Sequence, residues 1–374
     1  MRIGIDATAL PPEPVGAGTY IIQLVRALAD SDSDHEWVVF AHRSRIELFG
    51  EMPGRTMEWI PIRDKSPFQR LIWEQTTLPT VAKQTRLDIL HSLHYTRPNR
   101  LECASVVTFH DMTFFLYPQL HTLPKRTFFP VAIRSSARRA NALIAVSETT
   151  RQDTIRLLNV SPEKIFTCPN GVSPDFHPIS DASRLEACRN KYHLPENFIL
   201  YLGTIEPRKN LPILLRAFHR LVQEGAGLHL VITGKHGWMV EQVRDTIREL
   251  HLDRLIHFTG YIPADDLPIV YNLARTFVYP SLYEGFGLPP LEAMACGIPV
   301  IASAIPAIQE LVGDAGVLFP PQDEEALFQA LRMVVEDPSL QAKLSKKGRE
   351  RSQQFTWKRC AQATLEVYQH LAPH

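Results

Sequence analysis

The sequence predicts two α/β domains, each a doubly wound parallel sheet covered by helices. The chain has 374 residues, and because a globular domain usually contains about 150 residues, two domains are expected. Short apolar runs alternate with longer amphipathic stretches along the whole chain, which is typical of βαβ units. The segment 168–180, CPNGVSPDFHPIS, is rich in Pro, Gly, Ser and Asn and divides the series into two halves. It therefore predicts a hinge between domains, with one large sheet and a long loop as the alternative.

Twelve apolar runs have the length and continuity of strands that are buried on both faces. In the first half they are Arg2–Asp6, Trp37–Ala41, Met57–Ile62, Asp88–Ser92, Ala104–His110 and Ala142–Ser147. In the second half they are Phe198–Gly203, Leu228–Gly234, Leu255–Thr259, Phe277–Pro280, Pro299–Ala302 and Gly316–Phe319. The periodicity predicts helices between them, including Thr19–Ala29, Pro67–Lys83, Lys125–Ala140 and Pro290–Ala295.

Composition and charge exclude several classes of protein. Apolar residues make up 45% of the chain and charged residues 21%, as in proteins that bury a core. The 40 basic and 40 acidic residues cancel, so no basic excess favours a nucleic-acid partner. The five scattered cysteines contain no Cys-x-x-Cys pair and are typical of reduced thiols. Neither a signal sequence nor a long apolar span is visible. A cytoplasmic protein is expected, with the inner face of the membrane as its alternative location.

A glycine loop follows the first predicted strand. Gly16 and Gly18 open a predicted helix, where the backbone can approach a ligand and the helix N-terminus favours an anion. Ile21 occupies the position of the third glycine of a dinucleotide fingerprint. Phosphate contact and a plain turn both remain open for this loop.

Arg208 and Lys209 lie in the run 203–211, GTIEPRKNL, after the first strand of the second half. The pattern places them at the start of a helix, where the helix dipole opposes cations unless an anion offsets them. A guanidinium group beside an ammonium group suits a diphosphate. The alternative is a solvated helix start.

A run of glycines and acids follows the strand Phe277–Pro280. Glu284 and Glu292 are separated by seven residues, and each carboxylate can accept a pair of hydroxyl groups from a polyol. Between them, backbone amides that can bond sugar hydroxyls and phosphate belong to Gly285, Phe286, Gly287 and Leu288. In the alternative, Glu284 is an ordinary acid at a helix start and Glu292 is an unrelated surface glutamate.

His110 ends an apolar strand of the first half, at the edge where ligands bind doubly wound sheets. A packed core histidine is the alternative. The acidic run 30–34 imitates a metal-binding motif but lies where a polar turn is expected, so no metal site is predicted. Residues 112–156 contain seven cations and two acids together with several phenylalanines. This segment is either a solvated face or a contact with an anionic membrane surface.

Together these motifs resemble the group 1 (family 4) retaining glycosyltransferases of the GT-B fold. GTIEPRKNL, SLYEGFGLPPLEAMACGIPVIAS and GDAGVLFPP have the order and spacing of that family. In the first half, GIDATAL, GAGTY, TFHDM, AVSE and CPNGV resemble the members that transfer mannose from GDP-mannose. The resemblance implies two Rossmann-like domains that face each other across a cleft. Residues 1–172, with a last helix 356–374 packing back on them, would form the acceptor side, and residues 173–355 the nucleotide-sugar side.

The resemblance also implies an activity and the residues that serve it. The expected reaction moves mannose from GDP-mannose to a glycan or lipid-linked glycan with retention of configuration and without a metal or other cofactor. Arg208 and Lys209 would hold the donor diphosphate, and Glu292 the ribose hydroxyls. Glu284 and His110 would act at the reaction centre, with the amides of residues 285–288 on the donor sugar and α-phosphate side. The amide of Gly18, in the loop that begins at Gly16, would reach the phosphates.

Several alternatives stay open on the sequence alone. The donor can instead be a UDP- or ADP-sugar, and the acceptor is not specified by any motif. A nucleotide-sugar 2-epimerase or a non-catalytic nucleotide-sugar binder would use the same fold. Retention is expected to proceed by front-face attack, with Glu284 as a covalent nucleophile the alternative.

Overall fold

The computed structural model describes residues 1–31, 34–50, 57–235, 237 and 239–372. They form two compact units, Met1–Gly171 with Thr356–His374, and Val172–Phe355. The chain crosses to the second unit inside the segment 168–180 that the sequence predicts as a hinge. Part of the acidic run 30–34, and His236 after Gly234-Lys235, lie outside the described residues.

The first unit contains a seven-stranded sheet in the order β3-β2-β1-β4-β5-β6-β7. Every neighbouring pair is parallel, and Ile5 of the third strand in this order lies opposite Val39 on one side and His91 on the other. The strands are β1 (Arg2–Asp6), β2 (Glu36–His42), β3 (Glu58–Ile62), β4 (Ile89–Ser92), β5 (Ala104–Phe109), β6 (Ala142–Ala145) and β7 (Ile165–Thr167). The short strand β7 is not predicted by the sequence, because three residues carry no measurable periodicity.

Helices connect these strands and cover the sheet. They are α1 (Ala17–Ala29), α2 (Pro67–Thr76), α3 (Leu78–Gln84), α4 (Thr113–Leu116), α5 (Leu123–Arg139) and α6 (Glu148–Leu158), with 3₁₀ turns at Arg43–Phe49, Pro118–Leu120 and Pro162–Lys164. The single helix predicted over 67–83 is wrong, since the chain forms two helices that meet at Thr77. Pro79 lacks an N–H and cannot donate to the carbonyl of Gln75, so the helical hydrogen bonds cannot continue.

The second unit contains a six-stranded parallel sheet in the order β10-β9-β8-β11-β12-β13. Its strands are β8 (Phe198–Leu202), β9 (His229–Thr233), β10 (Ile256–Gly260), β11 (Thr276–Tyr279), β12 (Val300–Ser303) and β13 (Val317–Phe319). Its helices are α7 (Ala182–Tyr192), α8 (Leu211–Gln223), α9 (Val240–Glu249), α10 (Leu267–Leu273), α11 (Leu288–Ala295), α12 (Pro306–Val312), α13 (Glu324–Glu336) and α14 (Pro338–Ser352), with a 3₁₀ turn at Pro207–Lys209. The core contains Ile199 and Ile232 of the sheet against Leu214 and Phe218 of α8. Both sheets are the doubly wound parallel sheets that the sequence predicts.

The last helix, α15 (Trp357–His370), belongs to the first unit. Its Trp357 contacts Tyr20 of α1 with ring centroids 6.1 Å apart. At the start of this helix the chain passes so close to Gly171 that a Cβ atom there would lie 2.1 Å from the Trp357 nitrogen. Only glycine fits at that position. None of the described helices is both long and apolar enough to span a membrane.

Candidate active site

In the second unit, the carboxyl ends of β8 and β11 lie side by side where the strand order reverses. Ligands of doubly wound sheets bind at such a point. The loop that holds Arg208 follows β8, and the loop that holds Glu284 follows β11. The backbone N–H of Leu282 donates to the Arg208 carbonyl at 2.8 Å, which joins the two loops. The topology thus brings together two motifs that are about 75 residues apart in sequence.

Glu284 holds both predicted phosphate-binding cations. One of its carboxylate oxygens accepts from Nη1 of Arg208 at 2.5 Å, and the other accepts from Nζ of Lys209 at 2.7 Å. The Lys209 ammonium also donates to the hydroxyl of Tyr279 at 2.7 Å. Glu206 accepts from Nε and Nη2 of Arg208 at 3.1 and 2.7 Å. The two cations are therefore fixed side by side before any ligand binds.

Burial and charge act in opposite directions on this cluster. Burial raises the pKa of the Glu284 carboxyl group, but Arg208 and Lys209 outweigh it and lower that pKa to about 2. Burial lowers the pKa of Lys209, and Glu284 opposes this effect. Since the Lys209 ammonium bonds directly to an ionised carboxylate, both groups are charged at neutral pH.

The placement of Arg208 and Lys209 differs from the sequence prediction in one respect. They do not lie in the first turn of a helix but in the separate 3₁₀ turn Pro207–Lys209. Asn210 adopts a left-handed conformation, with φ of 51°, and separates this turn from α8. The helix-dipole argument expects a bound anion to offset the two cations. In the structure, the carboxylates of Glu206 and Glu284 already offset them.

Glu292 lies in α11 and is only 8% exposed, so the alternative of an unrelated surface glutamate is wrong. The hydroxyl of Tyr271 donates to its Oε2 at 2.9 Å. Burial raises the pKa of Glu292 to about 7, against the smaller opposing effect of the Tyr271 hydrogen bond. The carboxyl group thus changes its charge close to physiological pH.

Replacing Glu292 by glutamine is expected to stabilise the protein at higher pH. The carboxyl group has a pKa of about 7 in the folded chain against an ordinary 4.5. Its stabilising effect is therefore fully present below 4.5 and is lost as pH rises through about 7, because the folded state retains the proton that the unfolded state releases. Glutamine does not titrate and still accepts from Tyr271. Urea unfolding of Glu292→Gln and the parent protein across this interval measures the difference, and pH curves that stay parallel would contradict it.

Two prolines follow the four residues between the two acids whose amides are predicted to contact a donor. Gly287 has φ of +111°, and a Cβ atom there would lie 2.6 Å from Cδ1 of Ile308, so this position requires glycine. Residues Pro289 and Pro290 follow Leu288 in the first turn of α11 and have no N–H. Among the first three residues of the helix, Leu288 alone carries an amide hydrogen. The contacts predicted for Gly285, Phe286, Gly287 and Leu288 with a donor stay predictions.

In the first unit, His110 follows β5 and lies at the carboxyl edge of the sheet. Its Nε2 lies 2.8 Å from the Leu93 carbonyl oxygen, so Nε2 carries the hydrogen and Nδ1 of the neutral ring is an acceptor. Burial lowers the pKa of His110, with the Leu93 carbonyl and Asp111 in opposition. The rings of Tyr20 and Tyr95 meet the imidazole edge to face, with centroids 4.9 and 5.8 Å away. The ring is thus held in one orientation and one tautomer.

A buried chain of hydrogen bonds supports the tyrosine that contacts His110. The Tyr20 hydroxyl lies 3.0 Å from Oγ1 of Thr108, which lies 2.8 Å from Nε2 of His91. Nδ1 of His91 lies 2.6 Å from the hydroxyl of Tyr368 in the last helix. Burial lowers the pKa of His91 to about 3, so this ring is neutral and bonds through both nitrogens. The last helix therefore contributes to the surroundings of His110.

In the glycine loop after β1, the backbone at Gly16 is open while the amide of Gly18 already makes an internal hydrogen bond. Gly16 has φ of +52° with no atom near an added Cβ, so its backbone faces open space. The amide of Gly18 donates to the Val15 carbonyl at 3.0 Å. Its contact with a phosphate stays a prediction, and that contact requires the hydrogen bond to Val15 to be shared or broken.

Sequence analysis missed several residues of these clusters, among them Glu206, Tyr271, Tyr279, Tyr20 and Tyr95. Glu206 has a local signal, since it precedes Arg208 by two residues. The tyrosines carry no such signal, because their hydroxyl groups reach their partners only through tertiary folding. Among the described residues, no group of three or more His, Cys, Asp and Glu side chains is arranged to hold a metal ion.

The basic segment 112–156 combines charge with exposed apolar surface. In α5 the side chains of Leu123, Phe128 and Val131 are exposed, and Lys125 and Arg126 are exposed beside them. Exposed cations beside exposed apolar side chains favour contact with an anionic membrane surface. Contact of this segment with a membrane stays a prediction.

Comparison with solved structures identifies the fold. The chain matches the sucrose-phosphate synthase from Thermosynechococcus elongatus with a TM-score of 0.79 and 23% identity over 99% of both chains. The two doubly wound units with a cluster of cations at the switch point of the second thus form the GT-B fold of glycosyltransferases.

Sequence relatives then give the family. The profile described as "Glycosyltransferase Family 4" matches residues 14–176, and "Glycosyl transferases group 1" matches residues 186–351. The O-antigen chain mannosyltransferase B of Escherichia coli is 32% identical over 95% of this chain and 96% of its own length. The D-inositol 3-phosphate glycosyltransferase of Saccharomonospora viridis is 34% identical over 61% of this chain and 55% of its own. The chain belongs to the group 1, family 4 glycosyltransferases, which confirms the resemblance seen in its motifs.

Proposed function

We propose that this glycosyltransferase moves mannose from GDP-mannose to a glycan or lipid-linked glycan with retention of configuration. The observation that carries a nucleoside-diphosphate donor is the pairing of Arg208 and Lys209 on Glu284 at the switch point of the second sheet. The choice of GDP rests on the resemblance of the first-half motifs to GDP-mannose-dependent members of the family. Mannose is supported by the Escherichia coli relative, which aligns along nearly the whole chain and is named a mannosyltransferase. The D-inositol 3-phosphate relative aligns over a smaller share of this chain and supports only the broader class.

Arg208 and Lys209 neutralise the donor diphosphate in this proposal. The guanidinium group can exchange a hydrogen bond to Glu206 for one to a phosphate oxygen, because Glu206 is the more exposed of its two acidic partners. Charge develops on the diphosphate as its bond to the sugar breaks, and fixed cations stabilise that charge without reorganisation. Tyr279 and Glu284 keep the Lys209 ammonium in place meanwhile.

Glu284 acts as the holder of these cations rather than as a covalent nucleophile. Its two oxygens already accept strong hydrogen bonds, and a carboxyl group with a pKa of about 2 is weakly basic. Retention then requires attack from the face that the diphosphate leaves. The bond from the sugar carbon to the phosphate oxygen breaks with its electron pair, the acceptor oxygen bonds to that carbon, and the leaving phosphate takes the acceptor's proton.

His110 receives a hydrogen bond from a sugar hydroxyl in this proposal. Its Nε2 hydrogen is bonded to Leu93, so the neutral ring offers Nδ1 as an acceptor. Tyr20 and Tyr95 hold the ring plane. Glu292 lies in the same unit as Arg208 and binds the ribose hydroxyls, to which its ionised form is the better acceptor.

The donor is tested by measuring transfer and thermal stability with GDP-mannose, UDP-glucose and ADP-glucose in excess EDTA. We expect GDP-mannose alone to support transfer, and GDP to raise the melting temperature more than UDP or ADP, because a ligand stabilises the folded state by mass action. Activity is expected to persist in EDTA, since protein cations supply the charge at the diphosphate.

Three outcomes would contradict the proposal, one each for the donor, the reaction and the independence from a metal. Transfer from UDP-glucose with none from GDP-mannose would change the donor and keep the class of enzyme. Interconversion of nucleotide-sugars without an acceptor would point to an epimerase. Loss of activity in EDTA that Mn²⁺ or Mg²⁺ restores would replace the protein cations by a metal.

A further inference from the structure

We propose that a groove in the first unit binds the acceptor glycan several sugar residues away from its reacting end, so that the enzyme prefers chains to single sugars. The groove lies between the loop after β3 and the side of α2. This inference rests on the proposed function, because it takes His110 as a marker of the reaction centre.

The groove has a volume of about 420 Å³, which is within the usual range of about 300–1,000 Å³ for ligand sites. Arg63, Asp64 and Lys65 line it from the loop, while Gln69 and Trp73 line it from α2. It is an open groove at the surface, and all of its residues belong to the first unit. A ligand can therefore bind there without involving the donor motifs.

The lining residues suit a neutral carbohydrate. Arg63 and Lys65 donate hydrogen bonds, Asp64 accepts them, and Gln69 does both. The Oδ1 atom of Asp64 also accepts from the Ser44 hydroxyl at 2.7 Å, which holds the carboxylate in place. Ile72 of α2 is 48% exposed and adds apolar surface, which suits the apolar face of a sugar ring. Trp73 is 8% exposed and presents only a small part of its ring to the groove. Because one acid offsets one of the two cations, the groove lacks the charge excess expected of a site for a polyphosphate.

The position of the groove indicates which part of the acceptor it binds. The loop that lines the groove starts directly after β3, and His110 is the first residue after β5. The groove and His110 therefore both lie at the carboxyl edge of the same sheet. The strand order places four inter-strand steps between β3 and β5, which at about 4.8 Å each is about 19 Å. A single sugar ring cannot reach from one place to the other. A glycan whose last residue lies at His110 must contain several residues to occupy the groove.

The test measures kcat/KM at saturating donor for a graded series of mannose oligomers, from monosaccharide to hexasaccharide. We compare the parent enzyme, the double variant Arg63→Ala/Lys65→Ala, and Thr76→Trp, which fills the groove from α2. The matched control is Lys83→Ala, which removes an exposed cation from α3 outside the groove. In the parent and the control, kcat/KM is expected to rise with chain length and then level off.

In the two groove variants that rise is expected to disappear. The longest acceptor should lose at least about tenfold, the scale of hydrogen bonds to charged groups, and the loss should shrink as the acceptor shortens. Unfolding curves of all variants accompany the kinetics, so that a general loss of structure is recognised by its equal effect at every length.

A parent enzyme that uses all lengths equally would overturn the proposal, and so would groove variants that lose the same factor on every acceptor. Loss of binding to vesicles of anionic phospholipid, with the length profile intact, would assign the groove to a membrane instead. The series is run with whichever nucleotide-sugar supports transfer, because the ratio of long to short acceptors does not depend on the donor. If none supports it, the proposed function fails, and calorimetry of hexasaccharide against monosaccharide still tests the groove.

Discussion

Replacing Lys209 by alanine is expected to lower kcat about a hundredfold, the usual loss of about 3 kcal/mol when one preorganised stabilising group is removed from a developing charge. The Lys209 ammonium is fixed by Glu284 and Tyr279 at 2.7 Å each, so its charge is in place before the reaction begins. The effect should appear in kcat more than in the donor KM, because the negative charge on the diphosphate grows in the transition state. Steady-state and single-turnover kinetics with varied donor measure the split.

Arg208→Ala should behave in the same way, and the two losses should not add, because both cations share Glu284. Lys347→Ala is the matched control, since Lys347 makes only a surface ion pair with Asp314 in the same unit. Near-normal turnover in both site variants with only a raised donor KM would assign these cations to ground-state binding and remove them from the chemical step.

Replacing His110 by alanine is expected to abolish measurable transfer while GDP binds almost normally. His110 belongs to the first unit, whereas the motifs assigned to the nucleotide, including Arg208, lie in the second. The variant loses the acceptor nitrogen Nδ1 that we assign to a sugar hydroxyl. Calorimetric GDP affinity, melting temperature and transfer rate are measured on one preparation.

The result also separates the two interpretations that the sequence leaves open for His110. A packed strand-end histidine would make the variant unstable but active, because the hydrogen bond to Leu93 and the contact with Tyr20 are lost. His110→Gln serves as a second variant, since its amide group can replace part of the hydrogen bonding. An active, destabilised His110→Ala protein would remove this residue from the catalytic site.

The fold was predictable because its signals are local. Continuous apolar strands such as β1 and amphipathic helices such as α1 are visible as periodic patterns. The division of the predicted helix at Thr77 was missed because its cause is one missing hydrogen bond at Pro79. The strand β7 was missed because three residues become a strand only through pairing with β6. Local patterns thus predict the elements, while a single proline or pairing with another strand decides where some of them begin and end.

The site was predictable where chemistry-bearing residues are close in sequence. Arg208 and Lys209 stand beside each other, and Glu284 stands among glycines. Their contact through Glu284 was beyond the sequence, because it depends on β8 and β11 being neighbours. The pKa of Glu292 was equally hidden, since it arises from burial rather than from neighbours in the chain. Sequence motifs thus identify the ionisable side chains of the site, while the tertiary fold determines their burial, their partners and therefore their charge.

The first unit is built from two separate segments of the chain, with the whole second unit inserted between Gly171 and Thr356. During synthesis on a ribosome, the second unit is complete and able to fold before α15 emerges. Until then the side chains that α15 covers, such as Tyr20 and Trp37, lack their partners Trp357 and Tyr368. A nascent or prematurely terminated chain therefore displays apolar surface that chaperones and proteases recognise. Docking of α15 completes the hydrogen-bond chain behind Tyr20, because Tyr368 is the partner of His91, which in turn supports Thr108.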